Sequence, residues 1–292
     1  MIGMICNLCP RRCGALRTEE FGDGFCAQPA LPVVSRAGLH FWEEPTISGT
    51  RGSGTVFFTG CVLRCVFCQN GKISRENFGK VITVSRLREI FEDLAAQGAH
   101  NINLVSPTPF ALAIREALEE PLPVPVVWNT GGYERVETLR SLEGKVQVWL
   151  PDLKYADPTL AAQYSEAEDY FPVATAAIEE MYRQVGDYVI EDGLLKKGVV
   201  IRHLMLPGAL NNTKAVMDWV AETFRPGQVL FSLMAQYTPQ LGAEGLLARR
   251  VTKMEYRAAM AYMANLGIVD GYCQDADSAR AEYTPNFDLS GV

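Results

Sequence analysis

Residues 55–70 constrain this chain more than any other stretch: Thr55-Val-Phe-Phe-Thr-Gly60-Cys61-Val-Leu-Arg-Cys65-Val-Phe67-Cys68-Gln-Asn70. Thr55 to Phe58 are β-branched or apolar, the pattern of a short buried strand, and Gly60 stops it. Three cysteines follow at once with the spacing C-x3-C-x2-C. Thiolates so placed on one tight loop can hold three corners of an iron–sulfur cube and leave the fourth iron without a protein ligand. That open iron can take a substrate or a cofactor, as a closed four-cysteine site cannot. A zinc knuckle or a set of buried thiols is the plainer alternative. Zinc sites, however, usually pair their ligands as C-x2-C with a distant second pair, and this loop does not.

A chain of 292 residues can bury about three-quarters of its unfolded surface, enough for one large α/β domain with an appendage. Its net charge of −7, with adjacent basic pairs only at Arg11-Arg12, Lys196-Lys197 and Arg249-Arg250, argues against a nucleic-acid partner. No apolar run reaches the roughly 18 residues of a membrane span. The start, Met1-Ile-Gly-Met-Ile-Cys6, lacks the basic and apolar regions of a secretory signal. A cytoplasmic protein with no membrane partner is expected. In such a reducing compartment, eight cysteines in clusters point to metal rather than to disulfides.

Residues 1–35 read as a cysteine-rich metal-binding extension and 36–292 as the main domain. The extension carries Cys6, Cys9, Cys13 and Cys26, spaced C-x2-C-x3-C-x12-C and broken by glycines. So short a segment cannot build a core without a staple. Four thiolates accept either an auxiliary 4Fe–4S cluster or a structural zinc, and the spacing does not separate the two. Residues 35–54 read as short strands or a connector, with His40 a packing residue.

Beyond the cysteine loop, strand-like and helix-like segments alternate, the signature of βα units on a parallel sheet. Strands are expected near 55, 101, 124, 146, 200 and 229, with Ile268–Cys273 as a last one. Cys273, a lone thiol, reads as a buried strand residue. Helices are expected over 85–97, 110–118, 133–142, from Asp157-Pro158, over 175–185, from a cap at Asn212 or Thr213, and from the capping box Thr252-x-x-Glu255. Asp192-Gly193 reads as a hairpin turn. The fold class is α/β, a partial (β/α)6 barrel open on one side. In barrels of βα units the strand C-termini make the active face. Here they carry the cysteine triplet, Ser106 and Thr108, Asn129 and Thr130, Asp152 and Lys154, Arg202 and His203, and Gln236. Each alone reads as a cap or turn residue; together they mark one end of the barrel. Asp152 and Lys154, two apart, point to the same side.

The chain resembles the radical SAM superfamily. Within it, the similarity is to the pyruvate formate-lyase activating enzyme-like branch with an N-terminal four-cysteine Cys-Pro-Arg motif. The resemblance runs over nearly the whole chain. It is carried by Cys9-Pro-Arg11, His40-Phe-Trp-Glu-Glu-Pro45, Ser53-Gly-Thr55, the cysteine triplet, Gly98-Ala-His-Asn-Ile-Asn-Leu-Val105, Tyr155, Arg202-His203 and Leu206-Pro-Gly208. It implies a partial barrel of the radical SAM type and a 4Fe–4S cluster on Cys61, Cys65 and Cys68, with the amino and carboxylate groups of S-adenosylmethionine (SAM) on the fourth iron and Phe67 against the adenine. Ser106 and Thr108 stand where the family usually has a Gly-Gly-Glu-like segment for the SAM amino group. Asn129-Thr130 replaces the Asp-Thr of activating enzymes, which leaves Asp152 as the one carboxylate for any bound monovalent cation. Asp152 and Lys154 match an Asp-Leu-Lys segment, making Lys154 a partner for the SAM carboxylate, while Arg202 and His203 resemble ribose or carboxylate contacts.

The activity so implied is reductive cleavage of SAM to a 5′-deoxyadenosyl radical that takes hydrogen from a substrate. That substrate is a glycyl radical enzyme, or alternatively a peptide or a small metabolite, and the expected electron donor is a flavodoxin or a ferredoxin. A reading of a different class is a non-catalytic iron–sulfur or zinc protein serving electron transfer or as a scaffold. The bacterial carrier spacing C-x2-C-x2-C-x3-C-P, however, is absent from both clusters.

Overall fold

Strands buried on both faces read as continuous apolar runs, and the computed structural model, which describes residues 4–274 and 285–292, has them where such runs occur. In chain order the strands, of which β4, β6, β7, β8 and β11 are buried along their whole length, are β1 (Met4–Ile5), β2 (Leu16–Arg17), β3 (Val33–His40), β4 (Ser53–Phe58), β5 (Lys80–Val81), β6 (Ile102–Val105), β7 (Val126–Thr130), β8 (Val148–Pro151), β9 (Val189–Glu191), β10 (Leu194–Leu204), β11 (Leu230–Met234) and β12 (Gly271–Gln274). The strands β4, β6, β7, β8, β10, β11 and β12 lie side by side in that order and all parallel. All six expected barrel strands are present, and β12 adds a seventh on the far edge. Antiparallel β3 and β5 extend the other edge. Among the described residues the two edges do not pair, so the barrel is partial, as expected. Cys273 falls on β12, the edge strand among the described residues, and is exposed, not buried.

Helices α1 (Pro45–Ser48), α2 (Gly71–Ser74), α3 (Val84–Ala96), α4 (Ala111–Ala117), α5 (Val136–Arg140), α6 (Pro158–Ser165), α7 (Tyr170–Val185), α8 (Leu210–Thr223) and α9 (Lys253–Asn265) connect the strands. The outward-facing strand residues, among them Val56, Leu104, Trp128, Trp149 and Ile201, share one core with helix residues such as Leu87, Phe91 and Ile178. Alternate strand residues face the interior, where Val127, Val148, Leu150, Val200 and Leu230 surround Ile47 of α1. That short helix thus plugs the barrel from within.

Local chemistry accounts for most boundaries. Asp192 and Gly193 both have positive φ (51° and 75°), the conformation of a type I′ hairpin turn between β9 and β10. Thr252 and Glu255 form the expected capping box on α9. Three readings are corrected. Helix α7 begins at Tyr170, ahead of the expected 175, because Pro172 sits in the first turn, where no backbone donor is needed. The expected helix over 133–142 shortens to α5, since Gly132, at φ 81°, turns the chain beneath the Asp152 carbonyl. Asn212 and Thr213 do not cap α8, which starts at Leu210. Asn212 accepts instead from the amides of Ala156 (2.8 Å) and Asp157 (3.1 Å) and donates to the Lys154 carbonyl (3.0 Å).

Thr213 is drawn to His203 of β10. The buried imidazole donates through Nδ1 to the Leu153 carbonyl (2.7 Å) and meets the Thr213 hydroxyl at Nε2 (3.0 Å). Burial is the main cause that depresses its pKa from 6.5 to about 4. The unfolded chain therefore takes up this proton at higher pH than the folded chain. The contribution is whole above pH 6.5 and is lost as pH falls toward 4, amounting to about 3 kcal/mol at most. Denaturant titrations of the metal-free protein across that window are expected to show a smaller loss of stability for His203→Gln than for the parent chain. Equal losses would remove His203 as the cause.

Candidate active site

The triplet loop leaves the end of β4 through Gly60, at φ 81°, and Arg64 at φ 50° tightens it between the first two cysteines. Polar hydrogens point at the sulfurs. The Leu63 amide donates to Cys61 Sγ (3.4 Å) and the Ser165 hydroxyl to Cys65 Sγ (2.9 Å). Ser74, whose buried hydroxyl has no fixed partner, faces Cys68. Burial, then the neighbouring Cys65 and Cys68, pushes the Cys61 thiol up to about 12, and Cys68 is raised for the same reasons. Cys61 and Cys68 therefore favour the protonated form until a cationic centre binds in place of the protons. Sulfur donors with hydrogen bonds aimed at them are the setting that tunes an iron–sulfur cube, so the donor set fits that group. Phe67 stands beside them, nearly buried and ringed edge-on by Tyr155, Tyr164 and Tyr237 at centroid distances of 6.4, 6.0 and 6.2 Å.

Across the mouth lies a chain of charges. Arg202 donates from Nε to Asp152 Oδ1 (3.0 Å), from Nη2 to Asn129 Oδ1 (2.6 Å) and from Nη1 to Glu43 Oε2 (3.2 Å). Lys154 Nζ donates to the other Asp152 oxygen at 2.6 Å. Glu43 Oε1 accepts from Asn103 (3.0 Å) and Asn129 (3.2 Å), so one carboxylate spans β6, β7 and β10. Burial alone would raise the Asp152 carboxyl, but the charges and hydrogen bonds of Lys154 and Arg202 outweigh it and hold the group below its ordinary range. Burial likewise opposes the charge on Lys154, yet Asp152, with Cys65 and Tyr170 adding to it, keeps the ammonium protonated. The Arg202 guanidinium thus lies between Asn129 and Asp152, where the resemblance implies a monovalent cation.

The structure brings together Cys61, Cys65, Cys68, Phe67, Asn129, Asp152, Lys154 and Arg202 at the strand C-termini. Ser106 is there too, half-buried at a left-handed φ of 57°, its amide held by the Asn129 carbonyl (2.9 Å). It does not bring Thr108, Thr130 or His203 to that mouth. Thr108 and Thr130 each donate at 2.5 Å to Glu134 Oε1, and Trp128 Nε1 reaches the same oxygen at 3.4 Å. Burial raises the Glu134 carboxyl above its ordinary range, against those hydrogen bonds. His203 faces α8.

Glu43, Glu44, Glu134 and Ser165 escape the reading of strand ends because they lie on connectors. The one signal was an acidic pair, Glu43-Glu44, in the otherwise apolar run Phe41 to Pro45. Glu44 is 2% exposed and its carboxyl is raised by burial, against the Arg202 charge and the Ser232 hydroxyl that it faces.

In the extension, all four cysteines line one pocket together with Arg17, Phe25 and Val62. Among the described residues, no three His, Cys, Asp or Glu side chains are arranged to hold a single metal ion. Nor is any helix among them long and apolar enough to cross a membrane.

Residues 55–220, which include the triplet and the strands from β4 to β10, match the Radical SAM superfamily. An uncharacterized protein of Methanocaldococcus jannaschii is 31% identical over 269 residues, covering 87% of this chain and 73% of that protein. Among solved structures, methylornithine synthase (PylB) overlays 80% of this chain and 78% of its own with a TM-score of 0.50 and 15% identity. HydG, a maturase of the [FeFe]-hydrogenase, overlays 84% of this chain with a TM-score of 0.54 and 14% identity. The chain spans 58% of HydG and about half, 47%, of Streptococcus suis SuiB. At such identities these overlays speak to the fold alone. The barrel, the cysteine loop closing its first parallel strand and the match across residues 55–220 make this chain a member of the Radical SAM superfamily, whose enzymes work with a 4Fe–4S cluster and S-adenosylmethionine.

Proposed function

We propose that the chain cleaves SAM reductively at a 4Fe–4S cluster held by Cys61, Cys65 and Cys68, and directs the resulting radical to a substrate at the barrel mouth. The observation that carries this reading is the juxtaposition of three thiols on the β4 loop with Lys154, whose ammonium is held at 2.6 Å by Asp152. A cluster held by these three cysteines would supply the single electron that reductive cleavage of SAM at its S–C5′ bond requires.

The rest falls to side chains. Lys154 makes one hydrogen bond to a side chain and has further donors for the SAM carboxylate. Arg202, itself held by Asn129, fixes Asp152 and so fixes Lys154. Phe67, held by its three tyrosines, offers a rigid apolar surface for the adenine. The apolar packing around it keeps water from a reactive intermediate. Thr108 and Thr130 act through Glu134, behind the mouth. Cys6, Cys9, Cys13 and Cys26 hold a second metal centre.

Among substrates, a glycyl radical enzyme is the reading favoured by the Asp152-Leu-Lys154 segment and the Cys9-Pro-Arg11 motif. A glycyl radical signal raised by electron paramagnetic resonance (EPR) in a partner protein tests it. A hydrogen donor found in a peptide or a small metabolite instead would overturn it.

Anaerobically reconstituted protein with dithionite and SAM is expected to yield 5′-deoxyadenosine, and Cys65→Ala is expected to yield none. A fully loaded parent chain that makes no product would end this reading. Lys154→Met leaves Asp152 paired with Arg202, so the fold is retained. Loss of one charge-assisted contact to the carboxylate should weaken SAM binding about 10- to 100-fold by calorimetry. Unchanged affinity would assign the carboxylate to another residue.

A further inference from the structure

One side chain of the extension reaches directly to the backbone of the triplet loop and to the residue that bonds Cys65. Arg11, between Cys9 and Cys13, donates through Nε to the Val62 carbonyl (2.8 Å) and through Nη2 to the Ser165 carbonyl (2.6 Å), with Nη1 on the Glu166 carbonyl. Val62 is bonded to Cys61, and Ser165 donates to Cys65 Sγ at 2.9 Å. Its guanidinium is fixed over the rings of Phe25 (4.0 Å) and Tyr133 (5.3 Å). Val62 itself lines the four-cysteine pocket. The two cysteine sites therefore share a wall, and Arg11 runs through it.

A second cation marks what the pocket holds. Arg17 is 2% exposed; its guanidinium donates to the Pro29 carbonyl and to Cys6 Sγ, the latter at 3.6 Å, lies over the Phe110 ring at 5.8 Å, and forms no ion pair with a carboxylate among the described residues. A buried guanidinium with no carboxylate beside it is costly unless a counter-charge arrives. A centre bound by four thiolates carries that negative charge. Arg64, between Cys61 and Cys65, points the same way, donating to the Phe25 carbonyl at 3.3 Å. Zinc would gain charge balance from these cations but has no redox use for a place against the triplet loop. An iron–sulfur cube gains one negative charge on reduction, which cations at this wall stabilise.

We propose that Cys6, Cys9, Cys13 and Cys26 hold a 4Fe–4S cluster that is the electron entry port, and that Arg11 is the positioning residue linking it to the triplet's cluster. This rests on the reading of the triplet given above. One electron leaves an external low-potential donor, here a reduced flavodoxin that is oxidised by one equivalent. It enters the extension's cluster and passes to the triplet's cluster, and no bond in the protein forms or breaks.

The test uses the full chain, reconstituted without oxygen. The parent protein should bind about eight iron atoms and no zinc, and a Cys9→Ala/Cys26→Ala variant about four. EPR of the reduced parent should show the broadening of two neighbouring spins, which the variant loses. Arg11→Leu, which spares every ligand, should keep about eight irons yet slow flavodoxin-driven reduction of the triplet's cluster on the order of tenfold, equivalent to about 1.4 kcal/mol of barrier. It also serves if the double variant fails to fold. One zinc per chain in the parent, or an unchanged rate in Arg11→Leu, overturns the proposal. Retention of about eight irons by Cys61→Ala/Cys65→Ala/Cys68→Ala would instead sink the reading of the triplet.

Discussion

The mouth of this barrel depends on a single guanidinium. Among the described residues Arg202 is the only cation in contact with both Asp152 and Glu43, and it also holds the Asn129 amide oxygen. Side-chain exposures of 12 to 16% leave these groups largely out of water. Removing one member of such a set costs about 3–5 kcal/mol, since its partners stay buried and uncompensated. The geometry is set by backbone register. Asn129, Asp152 and Arg202 come from the ends of three successive parallel strands, β7, β8 and β10. Sheet pairing therefore fixes where the charges sit, and the charges in turn reward only that pairing.

Register also explains which site residues were legible in the sequence. The strands themselves announce their places, being apolar on both faces and closed by glycine, proline or polar residues. The polar strand ends point correctly to one face of the barrel. What the pattern alone does not give is which of two neighbours looks inward, and successive strand residues point to opposite faces. Asn129 and Thr130 were both expected at the mouth, as were Arg202 and His203. In each pair the first turns inward to the charge network, and the second turns outward, to Glu134 or to Thr213. Long-range partners were invisible for a related reason. Glu43 lies 159 residues from Arg202 and Ser165 lies 100 from Cys65, and no local periodicity encodes either contact.

The extension shows the same division. Four cysteines in a segment too small for a core say that something must staple it. That Arg17 would be buried beside Cys6, or that Arg11 would reach Val62 and Ser165, is a property of the docked fold. Further hydrogen bonds repeat the message: Arg135 to the Asn7 carbonyl (2.6 Å), Thr138 to the Leu8 carbonyl (2.7 Å), and Gln28 to Asn77 (2.9 Å). These tethers seat the extension against the barrel beside the triplet loop.

Rigidity of this kind is what radical chemistry asks of a protein. A group that holds a reactive intermediate must be in place before the intermediate forms, because reorganising dipoles afterwards would cost barrier height. The Tyr170 hydroxyl illustrates the means. It lies 2.8 Å from the carbonyls of both Gly131 and Asp152 and accepts from the Lys154 amide at 2.9 Å, so one buried phenol clamps two strand ends. Its ring is stacked on Tyr133 and edge-on to Tyr155, which bonds Ser165 and through it reaches Cys65. The backbone that aims Lys154 and the hydroxyl that touches Cys65 are thus parts of one packed aromatic layer. That layer ties the position of the lysine to that of the triplet through packed rings and hydrogen bonds.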